Sequence, residues 1–302
     1  MKIAYAYQHP DPEILSQSSS GGFFTRIAVA VLERGGVVFG ARWDEDWKVV
    51  VDYSESIEGL AAFRGSKYVQ ARVGKAYRDC EAFLKEGRLV LFSGTPCMIA
   101  GLKSFLKQDY PNLIALDFVC HGTPTVKSWE SYLKSLGKKP ERVVFRDKCS
   151  GWKNYSCDIV NRMSYTRNRF MDVFLNDLTL RDCCYDCRYK AWKSGSDVTI
   201  GDFWGIDRIC PEIDDDRGMS LVVPHNDRIM ELVPELRDCR EFQEAVVVKC
   251  NPSAIRPAAR HQYSKLCNSL LERGFGFSFA YRLCMGSNPV VRAIRWMWKK
   301  TR

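Results

Sequence analysis

Cys184 and Cys187 form a CxxC within Cys183-Cys184-Tyr185-Asp186-Cys187, a spacing that lets two thiolates from one turn reach one metal centre. Two ligands do not close such a site, so partners must come from elsewhere in the chain. Cys97 closes Phe92-Ser93-Gly94-Thr95-Pro96-Cys97 and Cys120 closes Asp117-Phe118-Val119-Cys120, each at the end of a hydrophobic strand. In parallel α/β sheets, ligands gather at the carboxyl ends of strands. Two such cysteines from neighbouring strands, with the CxxC loop folded over them, make a four-thiolate site. Four thiolates suit Zn²⁺ or an iron–sulfur cluster, and spacing alone leaves the two level. A dithiol redox pair is the other reading of a CxxC, but the strand-then-helix setting of thioredoxin-like motifs is not evident.

The chain has 13 cysteines in 302 residues, an odd number without the dense framework of a small secreted domain. Cys80, Cys157, Cys239, Cys250, Cys267 and Cys284 stand singly among core-like residues and read as packing. Cys183 would point away from a centre held by its neighbours, and Cys149 and Cys210 stay open.

Two further segments suit an anion or flavin pocket. Ser18-Ser19-Ser20-Gly21-Gly22 precedes an amphipathic helix, where free backbone N–H groups face an anion; the plainer reading is a serine N-cap. Arg64-Gly65-Ser66-Lys67-Tyr68-Val69-Gln70 adds a cation and an aromatic ring, and would otherwise be a solvated turn. No GxGxxG follows a strand, so a Rossmann dinucleotide site is not supported.

The elements that must position these residues alternate. Residues 36–41, 89–92 and 113–119 read as buried strands, while 23–33, 77–85 and 99–106 carry helical periodicity. Residues 143–146 and 155–160 look like strands of a more antiparallel region. The cysteine loop Arg181 to Lys193 follows, then a strand over 197–202. The expected fold is α/β to α+β: a mixed central sheet flanked by helices, with the cysteine loop closing a cluster site. Regions 1–140, with the flavin site, and 141–285, with the CxxC loop, are followed by a basic amphipathic tail over 286–302.

No run reaches the ~18–20 apolar residues of a membrane span and no secretory leader opens the chain, so the expected compartment is the cytoplasm. The net charge of +9 is concentrated: seven cations and no acid follow Glu272, which leaves the body near +2. A nucleic-acid footprint is therefore absent. In the tail, Arg292, Arg295, Lys299 and Arg302 share one helical face opposite Val290, Ile294 and Met297. That pattern suits a peripheral membrane or partner contact, and equally a core-packing helix with a solvated basic face.

Taken in order, Ser20-Gly21-Gly22, Gly65-Ser66-Lys67-Tyr68-Val69-Gln70, Gly94-Thr95-Pro96-Cys97, Cys120-His121-Gly122, Cys184-Tyr185-Asp186-Cys187 and Asp197 through Gly205 resemble the coenzyme F420 hydrogenase/dehydrogenase beta-subunit family over roughly residues 15–225. The resemblance implies FAD and a [4Fe–4S] cluster, and so favours iron–sulfur over zinc. By motif, Cys97, Cys120, Cys184 and Cys187 would ligate the cluster. Ser20, Gly21, Gly22, Ser66, Lys67, Tyr68 and Thr95 would line the flavin site, with His121 and Asp202 near it. The implied activity is an oxidoreductase passing electrons between a two-electron donor, deazaflavin-like or other, and the cluster, with a redox partner protein or small-molecule donor. Lys67 would stabilise negative charge on the flavin, and His121, with a reference pKa of about 6.5, would donate a proton unless it is a buried structural residue. The alternative is a zinc-stabilised binding protein without redox activity. Many relatives open with a ferredoxin-like segment of CxxCxxC runs, which this sequence lacks. It thus resembles the stand-alone bacterial members, which often accompany surface-polysaccharide genes.

Overall fold

Continuous apolar runs along the central strands give the sheet two buried faces, and the helices fill them. The computed structural model describes residues 2–159, 163–164, 168–286 and 291. The sheet strands in the first half are β1 (Ile3–Tyr7), β2 (Val37–Trp43), β3 (Val49–Ser54), β4 (Ala71–Arg72), β5 (Val90–Gly94) and β6 (Leu113–Phe118). A separate antiparallel sheet holds β7 (Val143–Asp147), β8 (Ser156–Ile159) and β9 (Met163–Ser164). The chain then returns to the main sheet with β10 (Val198–Asp202), β11 (Ser220–Pro224) and β12 (Arg240–Gln243).

The main sheet has nine strands in the order β12-β1-β11-β10-β6-β5-β2-β3-β4. Its centre, β10-β6-β5-β2, is parallel throughout, and antiparallel pairs flank it on both sides. On one face Val38, Leu91, Ile114 and Leu116 pack under helix Phe23–Leu32 through Phe23, Ile27 and Val31. On the other, Val37, Phe39, Val90, Phe92 and Ala115 meet helices Ala76–Lys85 and Pro96–Leu106. This is the mixed sheet flanked by helices expected from the sequence, with strand and helix limits shifted by a few residues at most. Strands β10 to β12 bring segments 1–140 and 141–285 into one sheet.

The smaller sheet packs its own core with helices Val126–Ser135, Arg169–Leu175, Ser264–Glu272 and Phe277–Met285. Cys157, Cys267 and Cys284 are buried there, and Cys80 lies in the core of the main sheet. No helix among the described residues is long and apolar enough to cross a membrane. Arg292, Arg295, Lys299, Arg302, Val290, Ile294 and Met297 of the basic tail lie outside the described residues.

Candidate active site

Because β10, β6, β5 and β2 run in one direction, their carboxyl ends deliver Asp202, Cys120, Cys97 and Trp43 to one edge of the sheet. Thr95 begins the helix after β5, with Pro96 in its first turn, and its hydroxyl lies 3.2 Å from the Cys97 thiol. Cys120 opens the loop after β6. That loop is clamped to the CxxC segment by a short antiparallel bridge: Thr125 N–H donates to Thr179 O and Arg181 N–H to Thr123 O, both at 2.9 Å. A Cβ on Gly122 would stand 2.7 Å from Leu180 and 3.5 Å from the Cβ of Cys184. Only glycine lets the Cys120 loop come this close to Cys184.

The four thiols feel one another. Burial pushes Cys120 up to about 12; the Lys190 charge opposes this, and the neighbouring Cys97, Cys184 and Cys187 add to it. Cys184 is pushed up to about 11, first by burial, against a hydrogen bond with the Thr123 backbone, with Cys183 and Cys97 also raising it. Thiols crowded in a desolvated pocket resist ionisation unless a cationic centre takes them as thiolates. Among the described residues no three His, Cys, Asp or Glu side chains converge closely enough to grip a single metal ion. Lys190, which is 8% exposed, donates from Nζ to the Cys120 carbonyl and, at 2.6 Å, to the Ser253 carbonyl. It thereby holds a positive charge beside the thiols.

His121 lies next to this cage. Its Nε2 is 2.6 Å from Asp177 Oδ1, its Nδ1 faces Ser253, and its ring meets Phe174 edge-on. Phe174 stacks on Tyr68 at 4.9 Å between centroids, and Tyr68 packs on Phe145 at 5.5 Å. Phe145 lines the second part of the site, a cleft of about 780 Å³. A continuous chain of packed rings thus runs from His121, next to Cys120 in sequence, to the cleft.

The cleft is walled by cations and tryptophans: Arg42, Arg64, Arg146 and Lys148, with Trp43 and Trp47. Arg146 is its organising residue. The guanidinium forms a two-pronged pair with Asp202 at 2.9 and 3.2 Å, reaches the Tyr68 hydroxyl at 3.3 Å, and lies over the Tyr155 ring at 4.0 Å. Asp202 also accepts from Trp152 Nε1 at 3.1 Å. Although the Arg146 side chain is buried, its Nε has no hydrogen-bond partner. Cations for a pyrophosphate and ring faces for aromatic groups together fit a flavin dinucleotide.

The sequence-predicted flavin residues separate into groups. Ser66 and Lys67 line the cleft, with Ser19 beside them. Lys67 directs its ammonium to the carbonyls of Phe63, Arg64 and Gly65 at 2.9–3.3 Å, and burial lowers its pKa to about 8. It braces the turn that forms the wall. Tyr68 lies beneath the floor. Ser20, Gly21 and Gly22 stand behind the wall: the Ser20 hydroxyl donates to Met219 O at 2.6 Å, and Gly21 is wedged between β1 and β11. Thr95 belongs with the thiols, and Asp202 lies on the cleft side as the partner of Arg146. Sequence reasoning missed Arg146, Lys190 and Asp177. Arg146 carried one usable signal, a charge directly after the apolar run Val143-Val144-Phe145 in one strand, which burial would force to find a partner.

Comparison with known proteins agrees with this architecture. Residues 4–78 match the family model for the coenzyme F420 hydrogenase/dehydrogenase beta subunit N-terminal part, and residues 87–249 the model for its C terminus. The chain belongs to the coenzyme F420 hydrogenase/dehydrogenase beta-subunit family. Its fold is similar to that of a chain in the F420-reducing [NiFe] hydrogenase complex from Methanosarcina barkeri, solved as a xenon derivative. The TM-score is 0.55 at 17% identity, covering 91% of this chain and 88% of that one. No curated protein matches in sequence. The family places the protein among redox proteins of the hydrogenase and dehydrogenase beta-subunit type.

Proposed function

We propose that this protein is an iron–sulfur flavoprotein oxidoreductase. In this reading Cys97, Cys120, Cys184 and Cys187 hold a [4Fe–4S] cluster and the cationic cleft holds FAD. What supports it is the grouping of Cys97, Cys184 and Cys187 near Cys120 at the sheet edge that also carries a cation-lined aromatic cleft, with packed rings running from His121 to that cleft. Bound there, a flavin accepts a two-electron equivalent and a cluster passes single electrons. The chain's own part is to position and insulate. Arg146 and Asp202, paired with each other, fix the shape of the cleft wall, while Arg42, Arg64 and Lys148 line it with cations. Thr95 and the 123–125/179–181 clamp hold the thiols together. His121, set by Asp177, is placed to hold a proton beside the cage. The donor is a two-electron carrier, deazaflavin-like or other, or a redox partner protein, and the resemblance to stand-alone members points to surface-polysaccharide biosynthesis in the cytoplasm.

Anaerobic purification followed by visible spectroscopy and assay of iron, sulfide and flavin tests this. Four irons, four sulfides and one FAD per chain are expected. Cys187→Ser should bleach the cluster band while Cys239→Ser leaves it intact. A colourless zinc protein, or an unchanged spectrum in Cys187→Ser, would overturn the assignment.

A further inference from the structure

Asp117 and Thr199 line a small pocket together with Cys120 and Lys190. Asp117 is 2% exposed, and Thr199, His225 and Lys2 follow it in single file toward the surface. Lys2 Nζ lies 2.5 Å from His225 Nδ1, His225 Nε2 lies 2.8 Å from Thr199 Oγ1, and Thr199 Oγ1 lies 2.5 Å from Asp117 Oδ1. The chemistry of the outer end orients every link. An ammonium can only donate, so Nδ1 accepts; the imidazole hydrogen is then on Nε2 and donates to Thr199; the Thr199 hydroxyl donates to Asp117. All donors therefore point inward, from a partly exposed lysine to a buried carboxylate.

The surroundings keep the file in that state. Burial, reinforced by the Lys2 charge and opposed by Glu244, lowers His225 to about 4, so its ring is neutral near pH 7. Burial raises Asp117 against hydrogen bonds from Ser194, Thr199 and Ser196 and the charge of Lys2. Glu244 is engaged by Trp192 Nε1 at 2.8 Å. Asp197 turns away, to Ala115 N–H and the Asn226 amide. No other carboxylate interrupts the file among these contacts.

From this geometry we infer that Lys2, His225, Thr199 and Asp117 form a proton wire that charges or discharges Asp117 as electrons enter or leave the thiol cage. The inference rests on the cluster reading above. When one electron from reduced flavin reaches the cage, Asp117 Oδ1 takes the Thr199 hydroxyl proton. His225 Nε2–H refills the hydroxyl, Lys2 gives a proton to Nδ1, and solvent recharges Lys2. One electron and one proton arrive together, and the buried pocket gains no net charge.

Mediated potentiometric titration of the cluster-loaded protein between pH 6 and 9, followed by visible absorbance, tests the coupling. The midpoint potential should fall with pH over part of this range by about 59 mV per unit, one proton per electron, and Asp117→Asn should flatten that slope. Stopped-flow reduction by dithionite tests the wire: Thr199→Val should slow cluster reduction about tenfold or more and abolish its solvent isotope effect, and Thr199→Ser should restore both. A protein that binds no iron removes the cluster reading and the wire with it. A loaded cluster with a pH-independent potential, a slope that survives Asp117→Asn, or a Thr199→Val protein as fast as wild type overturns the wire and leaves the cluster reading intact.

Discussion

Lys190 shows how one side chain can set the chemistry of others. Its ammonium is buried, fastened to the carbonyls of Cys120 and Ser253, and it is the first charge to oppose the burial of Cys120. In the proposed cluster reading, a fixed cation bound to the Cys120 carbonyl favours the extra negative charge of the reduced state. At an effective dielectric constant near 20 this is about 1–3 kcal/mol, or roughly 50–130 mV. Lys190→Met should therefore lower the cluster midpoint potential by that amount, measured by the same redox titration. A potential within ~20 mV of wild type would show that the Lys190 charge does not reach the cage. Arg146 works differently: Asp202 cancels most of its charge, and its value to the cleft is direction.

At the scale of elements, the segment Ser20-Gly21-Gly22 is decisive for packing. A Cβ on Gly21 would fall 2.1 Å from Tyr7 O and 2.4 Å from Ser220 N, at the place where β1 meets β11. Gly21→Ala should cost at least ~1–3 kcal/mol through overpacking against rigid backbone, read as a lower denaturation midpoint; unchanged stability would mean the two strands can part freely. The sequence reading took these glycines for a ligand-facing turn, because close approach of backbone to backbone leaves the same trace as close approach to an anion. The parallel strands β2, β5 and β6 were legible, since both of their faces are buried and they read as apolar runs. The edge strands were not: β12 has the burial of a half-wet strand, and β4 spans two residues. That Cys97, Cys120 and the CxxC come together was legible, because Cys97 and Cys120 follow the ends of neighbouring parallel strands β5 and β6. Lys190 could not be picked out, and Arg146 only through its place beside an apolar run, because the functional weight of a cation is fixed by which distant carboxylate or carbonyl it meets. The packed chain His121–Phe174–Tyr68–Phe145 joins residues from three segments, and no local pattern announces it.

For the whole molecule, the buried polar file at the back of the sheet has a thermodynamic signature. Unfolded, the His225 ring takes a proton near pH 6.5; folded, it does so at about 4. Between those values the unfolded chain binds more protons, so stability is full above pH 6.5 and falls as the pH drops toward 4. The loss from this one residue is about 3 kcal/mol. Urea denaturation at pH 7, 5.5 and 4 should show it, and His225→Gln should remove that part of the decline; a parallel decline in the variant would place the acid sensitivity elsewhere. The same region governs the order in which the molecule can be completed during synthesis. Strand β1, at residues 3–7, has as its neighbours only β11 and β12, more than 200 residues further along the chain. At 5–20 residues per second, that strand waits roughly 10–40 s on the ribosome before either partner exists. A strand made more than 200 residues before its partners is thus among the last to be paired, and a chain ending before residue 220 would carry an unmated apolar strand for chaperones or proteases to meet.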